Sequence, residues 1–425
     1  MEWIKKFGLV IGWIFAGIAV FGVFVGMLWL TSGSLSGYPA LILAIATFAG
    51  YAWFITSKDY SPLGKTLRFA PISLFLVIAF WAMIPLGPNE LFEFPDLPEQ
   101  ETWDLDEGRF VTMTHKLPPD SIAPKEEAIL FLHGGPGVFV RDFDRDFMNS
   151  FSDFGYEVFV YDQLGAGRSA IMDLENYSHQ GNVDDMAEII KRIDKPLILI
   201  GQSYGAGLVS SYLDKYGADD RIRKIVLTEP GPLPGSFPQK GAYFDDKTTS
   251  APNIEGAGLF EVAQSPRFVL GMTLPIGNKF VNQIELMNHI DADLQRKMVA
   301  TAYCAEDEDN LMEFTPLPAN FMAGRIIRES FMVEKRPDLR TIGIPVMMLL
   351  GECSDLPRGY AIDYFEAYTI DRSHWIPRVG HVLWSNENGR NLTRESILSF
   401  LNEEEALLPN EPDFDSRFEF IEAGR

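Results

Sequence analysis

Pro196-Leu197-Ile198-Leu199-Ile200-Gly201-Gln202-Ser203-Tyr204-Gly205-Ala206 decides the fold. An unbroken apolar run, PLILI, meets a glycine turn that carries a serine, and a small-residue helical start follows. Near-continuous apolar runs typify strands buried on both faces of a parallel sheet. G-x-S-x-G between a strand and a helix holds its serine at the apex of a sharp turn, above the strand ends. The helix behind it points N–H groups toward a developing oxyanion. Ser203 is therefore the candidate nucleophile.

Outward from this point the pattern repeats. Short apolar runs lie at Ala128 to Leu132 (AILFL), Tyr156 to Tyr161 (YEVFVY), Ile222 to Leu227 (IRKIVL) and Val346 to Leu350 (VMMLL). Helical spacing is present at Asn182 to Ile193 and Ser203 to Tyr216, and Phe110 to His115 alternates as an early antiparallel strand. Strand–helix alternation predicts a doubly wound, mostly parallel α/β domain over 101–425. The alternation breaks at about 231–336, which reads as a mostly helical insertion over the sheet, with a helix at Gln283 to Ala300. The acidic tail from Asn402 to Arg425 reads as surface or mobile.

A second glycine-rich loop, His133-Gly134-Gly135-Pro136-Gly137, follows the AILFL strand. The N–H groups of Gly135 and Tyr204 are the candidate oxyanion hole. A phosphate cradle is a weaker reading, because no Lys-Ser/Thr pair follows. His133 reads as a structural hydrogen-bonder. A serine nucleophile needs a base, and the base an orienting acid. Of six histidines, His289, His374 and His381 follow Ser203. His381, just past a last strand near His374 to Pro377, is favoured over His374, which falls on the strand. The acid is expected after VMMLL, as Asp355, with Glu352 the alternative and Asp363 read as helical and solvated.

With these residues in hand, the chain resembles the α/β-hydrolase superfamily and, within it, the proline iminopeptidase family of serine aminopeptidases. HGGPG at His133 to Gly137 and Y-D-Q-x-G-x-G-R-S from Tyr161 to Ser169 carry the likeness, which covers about 110–405. The resemblance implies Ser203, Asp355 and His381 as the triad, and a helical cap where the insertion falls. It also implies cap glutamates that bind a substrate's free α-amino group. Glu306, Glu308 and Glu313, in YCAEDEDNLMEF, are the candidates, set against a solvated helix face. Many proline iminopeptidases have G-G-S-W-G at the nucleophile, whereas this chain has Gly201-Gln202-Ser203-Tyr204-Gly205. Three readings follow: an aminopeptidase releasing N-terminal residues from short peptides, a carboxylesterase or lipase-like hydrolase acting on small esters, and a non-catalytic tethered binding or sensor module. None needs a cofactor or a metal.

The 425 residues carry 36 Lys+Arg against 59 Asp+Glu, a net charge of −23. Nucleic acid is excluded as a partner, since a phosphate-binding surface needs a basic excess. Hydrophobic residues make up 47% of the chain, which excludes wholesale disorder. They concentrate at the N-terminus. About 8–30, 38–56 and 69–86 lack charges, and about 20 apolar residues cross a bilayer as a helix. Residues 1–86 thus read as a membrane region of three transmembrane helices, rather than a cleaved signal peptide, and 87–100 as a proline-containing linker. Lys5, Lys6, Lys58, Lys65 and Arg68 flank the spans so that the N-terminus is cytoplasmic and the catalytic domain extracytoplasmic. Trp3, Trp29 and Trp53 lie near span ends, as interfacial aromatics do. The two cysteines, Cys304 and Cys353, are expected as free thiols; the alternative is a disulfide tying cap to core in an oxidising compartment. Asn176-Tyr177-Ser178 and Asn391-Leu392-Thr393 match glycosylation sequons.

Overall fold

Strand order is the feature that positions everything else. In the computed structural model, which describes residues 90–106, 108–235, 268, 271–272, 281–291, 304, 317–354, 356 and 358–410, one sheet has the order β1-β2-β4-β3-β5-β6-β7-β8. The strands are β1 (Gln100–Asp106), β2 (Arg109–Lys116), β3 (Ala128–Leu132), β4 (Glu157–Tyr161), β5 (Leu197–Gln202), β6 (Ile222–Thr228), β7 (Val346–Gly351) and β8 (Arg372–Ile376). Strands β1, β2 and β4 pair antiparallel, and every pairing from β4 to β8 is parallel. The helices used below are α1 (Asp142–Asn149), α2 (His179–Arg192), α3 (Tyr204–Tyr216), α4 (Phe321–Met332), α5 (Arg358–Ala367) and α6 (Glu387–Leu401).

The central strands are apolar on both faces because both faces are covered. Leu197 and Leu199 of β5 point into a core shared with Val183, Met186, Ile189 and Ile190 of α2 and Leu208 and Val209 of α3. Ile198 and Ile200 point the other way, into a core shared with Phe143 and Phe147 of α1 and Ile397 and Phe400 of α6. Alternate residues of a strand face opposite sides, so one five-residue run supplies both cores.

Where the sequence reading misses an element, polarity is the cause. Gln100–Asp106 (QETWDLD), of which only Gln100 falls in the expected linker at 87–100, is an edge strand paired with β2. Its neighbour β2 contributes buried Val111 and Met113. The first part of the acidic tail is also held against the fold. Arg372 donates to the carbonyl of Glu404, and Ser373 N–H donates to Asn410 Oδ1 at 2.8 Å.

By contacts the chain divides into residues 1–90 with 260–286, and residues 91–259 with 287–425. In the first unit the described part includes a short helical stretch, Gln283–Leu286. The predicted spans at about 8–30, 38–56 and 69–86 and most of the insertion at about 231–336 lie outside the described residues. Among the described residues no helix is long and apolar enough to cross a membrane.

The segment after β8 is anchored by Trp384, which is fully buried. Its indole stacks on Phe147 of α1 with ring centroids 4.6 Å apart and donates to Asp144 Oδ1 at 2.9 Å. Arg141 in turn donates to Asp144 at 2.7 Å, so the buried carboxylate is paired. Replacement of Trp384 by Ala leaves a cavity and an acid without its indole donor. It is expected to cost about 3–5 kcal/mol, read as a lowered thermal midpoint of the full chain.

Candidate active site

Ser203 stands between β5 and α3 with φ 54° and ψ −117°. A non-glycine residue held there costs about 1–3 kcal/mol, so its surroundings must over-determine it. Three backbone hydrogen bonds do so. Ser203 N–H donates to Thr228 O at 3.1 Å, Gly231 N–H donates to Ser203 O at 3.0 Å, and Ala206 N–H donates to Ser203 O at 3.1 Å. Two of the three come from the end of β6. Close packing explains the glycine after the serine: a Cβ on Gly205 would lie 2.0 Å from the carbonyl oxygen of Leu132 at the end of β3.

The HGGPG loop lies against Ser203, the candidate nucleophile. A Cβ on Gly134 would meet Ser203 Cβ at 3.0 Å and Gln202 Oε1 at 2.3 Å. Residues of the second motif brace this loop. Gln163 N–H donates to His133 Nε2 at 3.0 Å, and Gln163 Nε2 donates to His133 O at 2.9 Å. With Nε2 accepting, the ring proton is on Nδ1, 2.6 Å from Gly134 O. Both nitrogens of buried His133 are thus committed, and burial lowers its pKa. Asp162 accepts from Val140 N–H at 2.8 Å and Arg168 N–H at 2.9 Å. On the far side Asn320, which caps α4 through Ala323 N–H, donates its own N–H to Gly137 O at 2.7 Å. The two sequence motifs and α4 therefore form one rigid support for the loop that carries Gly135.

Behind Tyr204 is a buried polar chain. Asn182 Nδ2 donates to Tyr204 Oη at 3.1 Å, which leaves the phenol to donate to His179 Nδ1 at 2.8 Å. His179 Nε2 then donates to Ser211 Oγ at 2.7 Å. The chain ties the residue whose N–H is the second oxyanion candidate to α2.

His381 follows β8, between buried Val379 and Val382. Its Nε2 lies 3.4 Å from Gln202 Nε2, the amide next to Ser203 in sequence. Its Nδ1 lies 3.5 Å from Glu229 Oε2. Glu229, one residue past β6, is 2% exposed with φ 43°. Its carboxylate also accepts the N–H of Gly351 and the hydroxyl of Ser354. Glu229 is a residue the sequence reading did not single out. The available signal was a glutamate directly after a buried strand, in Thr228-Glu229-Pro230-Gly231.

The other expected site residues fall as follows. Asp355, Glu306, Glu308 and Glu313 lie outside the described residues. Glu352 is exposed, and its carboxylate accepts Arg378 N–H at 2.9 Å. His374 is buried on β8 with Nδ1 2.9 Å from Pro409 O. Cys304 and Cys353 are bonded to each other, with Cα atoms 5.3 Å apart, which overturns the free-thiol expectation. The bond joins the insertion to the loop after β7. Closing a loop over a separation of 49 residues removes roughly 4 kcal/mol of unfolded-chain entropy in the chain-entropy model. Among the described residues no cluster of His, Cys, Asp and Glu is arranged to hold a metal ion.

Residues 127–250 match the family described as alpha/beta hydrolase fold. This is the alpha/beta hydrolase fold. A proline iminopeptidase of Thermoplasma volcanium is 35% identical over 112 residues, 25% of this chain and 36% of that protein. A bifunctional esterase/perhydrolase of Acinetobacter calcoaceticus is 26% identical over 132 residues, 29% of this chain and 46% of that protein. The chain thus spans less than half the length of the curated relatives it matches. A thermophilic esterase from Thermogutta terrifontis, a solved structure, has a TM-score of 0.47 at 16% identity, over 72% of this chain and 99% of that one.

Burial pushes the pKa of His179 down from 6.5 to about 3. The unfolded chain takes up a proton near pH 6.5 that the folded chain refuses down to about pH 3. Stability is therefore lost as pH falls through that window. The thermal midpoint should drop from pH 7 to pH 5, and less steeply in His179→Gln.

Proposed function

We propose that this chain is a membrane-anchored serine hydrolase, an aminopeptidase of proline iminopeptidase type that releases N-terminal residues from short peptides. The observation that carries the hydrolase reading is the strained Ser203 with the HGGPG loop packed against it. Ser203 Oγ attacks the substrate carbonyl while His381 Nε2 takes its proton. Oxyanion charge is met by the N–H groups of Gly135 and Tyr204; removing one such donor typically costs about 3–4 kcal/mol of barrier. His381 gives the proton to the leaving amine, and water then hydrolyses the acyl-enzyme by the same relay.

The aminopeptidase assignment is supported by HGGPG paired with D-Q-x-G-x-G-R-S and by the partial match to a proline iminopeptidase. In it, Glu306, Glu308 or Glu313 supplies the anion for the substrate's ammonium group. The esterase reading is favoured by the match to a bifunctional esterase/perhydrolase and uses the same serine and base. The membrane anchor is supported by the three uncharged stretches before residue 87. An extracytoplasmic catalytic domain is supported by the basic flanks of those stretches and by the Cys304–Cys353 bond, since disulfides persist in oxidising compartments.

A panel of aminoacyl chromogenic amides and short-chain esters tests the activity, with Ser203→Ala as control. Cleavage of free-amino prolyl amides, abolished by the substitution and by N-acylating the substrate, is expected. Ester turnover alone would transfer the chain to the esterase reading. Equal rates for wild type and Ser203→Ala on every substrate would remove the hydrolase reading. Alkaline carbonate washing of membranes tests the anchor: the chain should stay in the pellet, and release into the wash would remove the three-span reading.

A further inference from the structure

We propose that Glu229, at the end of β6, is the acid that positions His381, in place of a residue from the loop after β7. The proposal rests on the serine hydrolase reading and names one more role within that site.

Three observations converge on it. The first is the imidazole itself. Gln202 Nε2 lies 3.4 Å from His381 Nε2 and 3.4 Å from His381 O, and the tautomer with the ring proton on Nδ1 leaves Nε2 free to accept. A base at this position presents the Nε2 lone pair to Ser203, for which the Gln202 amide has to give way. Nδ1 has one proton and needs one acceptor, and Glu229 Oε2 faces it at 3.5 Å. That separation exceeds an ordinary N–H···O bond, but catalytic hydrogen bonds often tighten only when substrate is bound.

The second is how the carboxylate is held. A buried carboxylate must be paired and hydrogen-bonded. Gly351 N–H reaches Oε1, and the Ser354 hydroxyl reaches Oε2. Both donors come from the end of β7 and its loop. That loop therefore supplies neutral donors that aim Glu229 toward the imidazole.

The third is the backbone. Thr228 O accepts from Ser203 N–H, and Gly231 N–H donates to Ser203 O. Glu229 lies between these two contacts, with φ 43° and its own N–H on Leu349 O at 2.8 Å. The turn that fixes the nucleophile thus also fixes the acid. Chain order remains serine, acid, histidine. In the reaction Glu229 keeps its charge: the Nδ1 proton stays on the ring, Nε2 alone gains and returns the serine proton, and the carboxylate stabilises the imidazolium.

The test measures p-nitrophenyl acetate hydrolysis by the full-length chain in detergent, alongside the proton spectrum of the downfield imidazole N–H, identified by its loss in His381→Ala. Glu229→Gln should lower kcat about 10³–10⁴-fold with KM within a few-fold of wild type. It should also lose the downfield resonance. Glu229→Asp should recover at least about tenfold over Glu229→Gln, because it restores the charge. Asp355→Asn should keep both rate and resonance. Where Glu229→Gln fails to fold, Ser354→Ala replaces it; the loss of one carboxylate donor should lower kcat about tenfold, and an unchanged kcat would count against the proposal. Loss of rate and resonance in Asp355→Asn, with both retained in Glu229→Gln, would overturn it. Ser203→Ala separates the two levels: full activity there would sink the hydrolase reading, whereas an inactive Ser203→Ala beside an active Glu229→Gln would sink only the role of Glu229.

Discussion

The turn at Ser203 is the constraint on which the rest depends. A serine at φ 54° is unfavourable by itself and persists because the end of β6 and the turn after it hold it, through Thr228 O and Gly231 N–H. That grip requires β6 to lie beside β5, which the parallel pairing of Leu197–Gln202 with Ile222–Thr228 provides. The pairing in turn requires two apolar faces and helices to cover them. The hydrophobic pattern of the strands and the strained backbone at Ser203 are thus links in one chain of causes.

The loops around the serine are rigid for separable reasons. HGGPG is braced by Gln163 and by the N-terminus of α4. Tyr204 is tied to α2 through His179. The His381 segment is nailed to α1 by Trp384 and laced to the loop after β7, where Cys353 N–H donates to Val379 O at 2.9 Å. These supports come from both faces of the sheet and converge at the carboxyl ends of its strands, where ligands bind in open α/β sheets. Preorganised donors in such a site act on developing charge without having to reorient.

Much of this was legible in the residues. AILFL, PLILI and VMMLL are buried on both faces and apolar throughout, while YEVFVY and IRKIVL place their charged residues in the less buried first half of the strand, and that mark is local. Ser203 was legible because its turn needs glycine on either side. QETWDLD was not, since an edge strand carries polar side chains and its partner is found only in space. Glu229 was missed for a related reason. Asp355, expected after the strand that precedes the histidine, lies outside the described residues, whereas the Glu229 carboxylate 3.5 Å from the imidazole comes from one strand further in, and only the adjacency of β6, β7 and β8 brings it there. The Cys304–Cys353 bond depends on how the insertion returns to the sheet, which spacing alone does not encode.

The most direct measurement is an experimental structure of the full chain after reaction with an aryl fluorophosphonate. The account predicts phosphonylation of Ser203 Oγ, with the phosphonyl oxygen within about 3.1 Å of the N–H groups of Gly135 and Tyr204. His381 Nδ1 should close to about 2.7–3.2 Å from Glu229 Oε2. Phosphonylation of another residue, or a His381 ring turned toward a different carboxylate, would contradict it.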